Sequence, residues 1–509
     1  MTLPAGILSA AIATLVLGTA LVLALHADGF ALRSADWAAV IFTLKQAAVS
    51  ALVSTLFAVP LTRALARRRF PGRAALVALL SAPFLLPVVV AVVGILSVYG
   101  HEGLVNQLLA AMGLPPVSIF GLQGVVLTNV FFNLPLVTRM LLNGWAAIPA
   151  ERFRLAETLG LPPSSQLRHI ELPMLRNLLP GAFTVVFLLC LTSFVVSLTL
   201  GGGPRATTVE LAIYQSLRFD FDLGRAALLA GVQFLICAVV VVAAGRLSLP
   251  SRLGAGLDRT GVHAAPAGWR RLADGALLAA AAIFLSLPLL NVLADGLPSL
   301  STLPVPVWQA ALRSGLVAVT SATLATVCGL CLALAAARNV GARRWIEVAA
   351  MLPMAASGLV LGTGLFLVLR PLTTPEAVAL PVTVLTNATL SLPFLYRLLL
   401  PEALALHQGY GRLSATLGLT GLAQLRLVTL PRLGRPLGLG AGIAAALSMG
   451  DLGVIALFAG ESTATLPLMV QRLAGAYRME QAAAASLLLV TLSFALFLVC
   501  DLGGRRVAP

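Results

Sequence analysis

The chain is poor in charge. Only 10% of its 509 residues are Asp, Glu, Lys or Arg, against about 25% in soluble domains, which excludes an ordinary globular enzyme. Lysine is almost absent, with Lys45 the single example, in "FTLKQ" with no glycine-rich loop before it. A phosphate-binding Gly-Lys-Ser/Thr loop is therefore missing, and with it any nucleotide hydrolysis by this chain. Histidine is scarce: His26, His101, His169, His263 and His407 are scattered, with no H-E-x-x-H or paired catalytic constellation. Of five cysteines, Cys328 and Cys331 form one C-x-x-C inside an apolar run. With no second pair and no histidine nearby, they read as small packing residues rather than a redox or metal site. No metal site is expected.

Apolar runs are what the chain does have. Runs centre near 3–25, 42–62, 74–98, 123–145, 177–200 and 226–246, and again near 273–294, 311–336, 346–369, 381–400, 437–459 and 481–500. Each approaches the roughly 20 residues that cross a bilayer. The expected fold is an all-α polytopic membrane protein of about twelve spans; strands of a β-barrel would alternate apolar and polar. The N-terminal "MTLPAGILSA" lacks the basic region of a signal peptide, so the first run reads as a retained span. Pro83 and Pro87 inside the third run are compatible with a membrane helix.

The formal net charge of +15 comes from arginines at the ends of these runs, a topological pattern rather than a nucleic-acid surface. "TRALARRRFPGR" after the second run is arginine-rich, whereas the next loop, around "HEGLVNQLLAAMG", has none. Loops after the fourth, sixth, eighth and tenth runs, and the C-terminal tail, are again basic. Positive-inside reasoning places these loops and both termini in the cytoplasm of a cell whose inner membrane holds the chain.

One moderately polar segment is written twice. "RLAETLGLPPSSQLRHIELPML" (154–175) and "RLSATLGLTGLAQLRLVTLPRL" (412–433) share twelve of twenty-two residues at a shift of 258. The same shift aligns "LTNVFFNLPLVTR" (127–139) with "LTNATLSLPFLYR" (385–397), a gapless repeat. Both copies follow an even-numbered span, so the halves are parallel repeats: 1–250, a cytoplasmic linker at 251–271, and 272–509. Within each copy, Gly160 or Gly418 is expected to end a helix in a left-handed cap. Ser164 or Ser165 (Thr420 in copy two) then starts a short second helix, which Pro173 or Pro431 terminates. That helix would present Leu167 and Ile170, with counterparts Leu425 and Val428, on one side as a docking shape. A plain arginine-bearing loop is the simpler alternative, but topology needs only charge and not a matched glycine, glutamine and Leu-Pro.

The duplicated segment resembles the signature loop of binding-protein-dependent ABC importer permeases: Glu-Ala-Ala, three residues, Gly, nine residues, Ile, one residue, Leu-Pro. Ala156, Gly160, Ile170, Leu172 and Pro173 match it, as do Gly418, Leu430 and Pro431 with Val428 in the Ile place. Arg154 and Arg412 stand where the family has Glu, and Ser414 replaces the second Ala, departures that bear on polar contacts rather than on the loop's shape. The resemblance implies a type I importer permease fold in which loops 151–176 and 402–435 dock on an ATPase. Two such loops on one chain imply two ATPase copies. ATP and Mg are then bound by the partner, and this chain binds no cofactor. "LTLGGGPRATTVELAIYQSLRFDFDLGRAALL" (198–229) and "SMGDLGVIALFAG" (448–460) look like the fused permeases of thiamine and thiamine-pyrophosphate importers, whose two-half length agrees. Related fused permeases carry ferric iron. The resemblance further implies a separate periplasmic thiamine-binding protein as partner, with membrane lipid around the spans.

For the substrate path, Asp451 is an acid inside the eleventh run, where a charge costs roughly 2.5–3.5 kcal/mol and faces a cavity or a partner. It either lies beside the path of a cationic substrate or bonds near a span end; its repeat-mate is Ser193. Asn129 and Asn387 are repeat-mates that either line the path or hydrogen-bond between helices. Tyr214 and Gln215 belong to an amphipathic outer segment spaced by Leu211, Tyr214, Leu217 and Phe221, which either flanks the opening or packs at the surface. A secondary transporter also has two six-span halves, but it would be expected to carry more ionisable groups in its spans and no duplicated loop.

Overall fold

The computed structural model describes residues 2–27, 29, 31–80, 86–201, 203, 206–247 and 268–507. Among these there is no strand. The first half comprises α1 (Thr2–His26), α2 (Ser34–Arg67), α3 (Arg73–Leu79), α4 (Val88–Tyr99), α5 (Leu104–Ala111), α6 (Leu122–Ala146), α7 (Ala150–Thr158), α8 (Pro163–Gln166), α9 (Leu172–Leu191), α10 (Phe194–Leu200), α11 (Val209–Arg218) and α12 (Leu223–Leu247). The second half comprises α13 (Trp269–Ser299), α14 (Val305–Arg338), α15 (Val340–Met351), α16 (Gly358–Leu369), α17 (Ala379–Thr416), α18 (Gly421–Gln424), α19 (Leu430–Met449), α20 (Gly453–Phe458), α21 (Leu466–Gly475) and α22 (Met479–Val507). Among the described residues, eleven helices are long and apolar enough to cross a membrane, or twelve if the α15–α16 pair is one bent span. The chain is thus an all-α polytopic protein, as its runs require. Most of the expected linker, 251–267, lies outside the described residues, and α13 already begins at Trp269.

Several runs that read as single spans are broken. The third run divides between α3 and α4, with Pro87 at the N-cap of α4 rather than inside a helix; Pro83 lies outside the described residues. Its counterpart turns by 91° between α15 and α16. The fifth run breaks at Thr192–Ser193 and the eleventh at Gly450–Leu452, the same place in the repeat. The reverse holds for the tenth run, which continues without interruption as α17 to Thr416. Cys331 is exposed on α14, so only Cys328 of that pair is partly packed.

The halves exchange their first helices. α1 packs on α16 of the second half, and α13 on α4 of the first. Both crossings depend on glycine. A Cβ on Gly94 would lie 2.7 Å from the Pro288 carbonyl oxygen, and one on Gly364 would lie 2.6 Å from Thr19 Cβ. Any larger residue separates these helices. The same three-helix packing then recurs in each half: α2, α6 and α9 in the first, α14, α17 and α19 in the second.

Candidate docking segments and the polar cluster between the helices

Each docking segment begins with a helix closed by glycine. α7 follows Pro149, and Gly160 takes φ 61°, which lets Gly160 N–H donate to Glu157 O and Leu161 N–H to Ala156 O. In the second copy Gly418 takes φ 62°, with Gly418 N–H donating to Ala415 O and Leu419 N–H to Ser414 O. These are matched Schellman closures. Ala156 and Ser414 are buried, so both sites accept only a small side chain. Arg154 and Arg412 are exposed.

Beyond the glycine the structure departs from the expectation. α8 starts at Pro163, so Ser164 and Ser165 lie in its first turn instead of capping it; Ser165 and Gln166 N–H both donate to Pro162 O. Pro173 does not end the helix. Leu167–Glu171 forms a π-turn in which Leu172 N–H donates to Leu167 O, and the chain runs directly into α9. Leu425–Thr429 does the same before Pro431, with Leu430 N–H donating to Leu425 O. The wider turn shifts the register just where proline has no N–H to give, and so absorbs it. The docking segment is consequently the end of the following span, not a helix held between two breaks.

Leu167, Ile170, Leu172, Leu425, Val428, Leu430 and Pro431 are only half-exposed, while Pro173 is exposed. Openly apolar residues shared by both copies lie one element earlier, and the second copy adds Leu422 and Leu427, 82% and 63% exposed. Leu155 and Leu159 are 60% and 64% exposed, and their repeat-mates Leu413 and Leu417 are 54% and 63% exposed. Spaced four apart, each pair forms one stripe on its helix. Their identity across the repeat, with Leu155 and Leu413 in the place of the signature's first Ala, was the available signal.

The segments are anchored differently. Glu171 is 1% exposed and accepts from Arg63 Nε at 2.7 Å and Arg67 Nη2 at 2.6 Å, both on α2. Its repeat-mate is Thr429, also buried. There, Arg338 Nη2 donates to Gln424 Oε1 at 2.9 Å.

Within the helices, the breaks in the fifth and eleventh runs collect the polar residues. Asn129 Nδ2 donates to Gln46 Oε1 (2.9 Å) and Ser50 Oγ (3.4 Å), and its Oδ1 accepts from Ser193 Oγ (3.0 Å) at the break. Asn387 Nδ2 donates to Ser448 Oγ at 3.1 Å, one turn before the other break. Asp451 Oδ1 accepts from Gly453 N–H at 3.2 Å, holding the first turn of α20, while its buried Oδ2 has no hydrogen-bond partner. The two asparagines therefore sit at equivalent junctions, and Asp451 serves a helix end.

The outer amphipathic segment is α11, capped by Thr208. It is less peripheral than its pattern suggests: Leu211 and Leu217 are buried, and α11 packs on α2, α12, α16 and α20. Phe221 lies beyond it, exposed and with φ 53°. Tyr214 and Gln215 face a cavity of about 140 Å3 shared with Ser197, Thr207 and Phe219. Tyr214 also contacts the Phe194 and Phe219 rings at 5.3 and 5.9 Å. Glu210, one turn earlier on α11, is 2% exposed with Oε1 unpartnered. No local motif in the sequence marks it out.

A helical chain of two parallel repeats, each with the signature loop running into the following span, has the architecture of type I ABC importer permeases. No protein-family model matches the chain. It is 37% identical over 510 residues to the thiamine transport system permease protein ThiP of Brucella abortus (strain 2308), covering 97% of this chain and 94% of that protein. It is 39% identical over 495 residues to ThiP of Escherichia coli K12, covering 92% and 90%. Over 211 residues it is 30% identical to the molybdenum transport system permease protein ModB of Mycobacterium bovis, covering 41% of this chain and 78% of that protein. The chain belongs to the thiamine transport permease family, as a multi-pass transport subunit of the inner membrane.

Proposed function

We propose that this permease imports thiamine, or its phosphates, through alternating access driven by a partner ATPase dimer. The observation that carries the reading is the pair of matched docking segments, each closed by a positive-φ glycine and each exposing two leucines one turn apart. Each segment offers one ATPase copy an apolar stripe in the cytoplasm, where both termini also lie. ATP and Mg are held by those partners, and this chain binds no cofactor. Because each segment runs through a π-turn into a span, a displacement of the docked surface becomes a displacement of α9 or α19. Both of those spans meet the polar junctions at their far ends.

On the opposite side a periplasmic binding protein delivers the substrate. Thiamine is an aromatic cation, and the cavity beside Tyr214 and Gln215 suits one of its rings. The acidic Asp451, with Ser193, Asn129 and Asn387, then lies along the route between the halves. No covalent chemistry is required of the chain.

The test is uptake of labelled thiamine in cells lacking thiamine synthesis and import, with the permease, its ATPase and its binding protein expressed together. ATP-dependent uptake that disappears in Gly160→Pro/Gly418→Pro supports both substrate and coupling route. ATP hydrolysis by the complex without thiamine uptake removes the substrate assignment and brings ferric iron forward.

A further inference from the structure

The end of α2 reads "TRALARRR", placing Arg63 and Arg67 four apart on one helix face, with Arg68 immediately after. The first two guanidinium groups close on the buried carboxylate of Glu171, in the π-turn of the first docking segment. The third reaches the other half of the molecule: Arg68 Nε donates to Asp274 Oδ2 at 2.7 Å. Asp274 belongs to α13, the helix that crosses to pack on α4. Three short ion pairs therefore link the first docking segment, the end of α2 and the first helix of the second half. Their side chains are 2–25% exposed. A carboxylate so placed cannot part from its guanidinium partners without being stranded away from water, a strongly unfavourable outcome.

Among the described residues, no ion pair joins the second docking segment to the end of α14. α2 and α14 have the same length and end at Arg67 and Arg338. In that register Arg63 becomes Leu334 and Arg68 becomes Asn339, while the shift of 258 that relates the docking segments puts Thr429 in the place of Glu171. Asn339 Oδ1 instead accepts from Ala342 N–H to cap α15.

We propose that the end of α2 is an ionic relay, in which Glu171, Arg63, Arg67, Arg68 and Asp274 are positioning residues that transmit displacement of the first docking segment to the second half. The first segment is then the dominant coupling element, and the second mainly an attachment point. The relay rests on the docking function proposed above for the two segments.

The experiment uses the assembled complex of permease, ATPase and binding protein in lipid nanodiscs. It reads ATPase retained per permease, stimulation of ATP hydrolysis by loaded binding protein, and thiamine transported per ATP. Glu171→Gln and Asp274→Asn are expected to retain the ATPase yet lose about tenfold in transport per ATP. Thr429→Ala is expected to lose about twofold at most. The exchange Arg68→Asp/Asp274→Arg is expected to recover at least half of the loss. Normal coupling in Asp274→Asn overturns the relay, as do equal losses in Glu171→Gln and Thr429→Ala. Loss of the ATPase from Glu171→Gln also overturns it, since Glu171 would then only hold the segment's shape. Docking itself fails on a different result, full ATPase retention and transport in Gly160→Pro/Gly418→Pro.

Discussion

The two halves share a backbone plan and differ in what fastens it. Both docking segments close on a glycine near φ 60°, expose two leucines and enter a span through a π-turn. The first is separated from its preceding span, since α6 ends at Ala146 and α7 starts at Ala150. The second is continuous with its span through α17. Charge compensates for that difference. Where the backbone is interrupted, two arginines hold Glu171; where it is continuous, Arg338 donates to the neutral Gln424. Shape was kept in both copies, while the means of holding it diverged.

The largest effect is expected where the halves are most alike. Proline fixes φ near −65°, so Gly160→Pro/Gly418→Pro cannot form either closure, and transport in the uptake assay should fall to background. Each single variant tests whether one closure is enough.

Docking surfaces come next. Glutamate at Leu155 and Leu159, or at Leu413 and Leu417, removes apolar area worth about 25 cal/mol per Å2 buried. Either pair of substitutions should reduce ATPase co-purification by about tenfold, a loss of about 1.4 kcal/mol. Equal losses from the two pairs would confirm symmetric attachment. A loss confined to one pair would show that attachment is as asymmetric as the anchoring.

The helix exchange gives a smaller and more selective difference. Alanine at Gly94 would press on a backbone oxygen of Pro288, and at Gly364 on the side chain of Thr19. Overpacking costs about 1–3 kcal/mol, and neither contact can yield by a rotamer change, since a Cβ moves with its backbone. Thermal unfolding in detergent should place Gly94→Ala and Gly364→Ala both below the parent.

The smallest effect concerns the polar junctions. Asn129 joins three side chains, whereas Asn387 donates to Ser448. Hydrogen bonds between membrane helices average about 0.6 kcal/mol and reach about 1.7. Asn129→Ala should therefore lower thermal stability more than Asn387→Ala. If these residues line the route, both substitutions should also change the KM for thiamine uptake at unchanged expression.

Much of this was legible in one dimension. A run of twenty apolar residues has few alternatives to a span, and a gapless repeat has one simple meaning. A glycine at the end of a helical stretch is a local signal, and both Gly160 and Gly418 carry it. The broken fifth and eleventh runs were not legible, because "LLCLTSFVVSLTL" and "LSMGDLGVIALF" stay mostly apolar through the break. Pro173 and Pro431 were misread because a proline announces a break but not the π-turn that absorbs it. The exposed leucines were hidden by attention to the half-buried residues of the motif. Glu210 carries no local signal, and only the packing of α11 shows that it is buried.

Composition, periodicity and repetition belong to the sequence alone, since each rests on residues close along the chain and on the cost of placing backbone in lipid. They determined a two-half helical membrane protein with one moderately polar segment written twice. Only the tertiary structure decided that α1 and α13 change sides, that Glu171 meets arginines 104 and 108 residues away, and that Arg68 reaches α13. Such pairings depend on which helices pack side by side, at about 8–10 Å between their axes. That distance is set by the packing of the whole bundle and has no local signature.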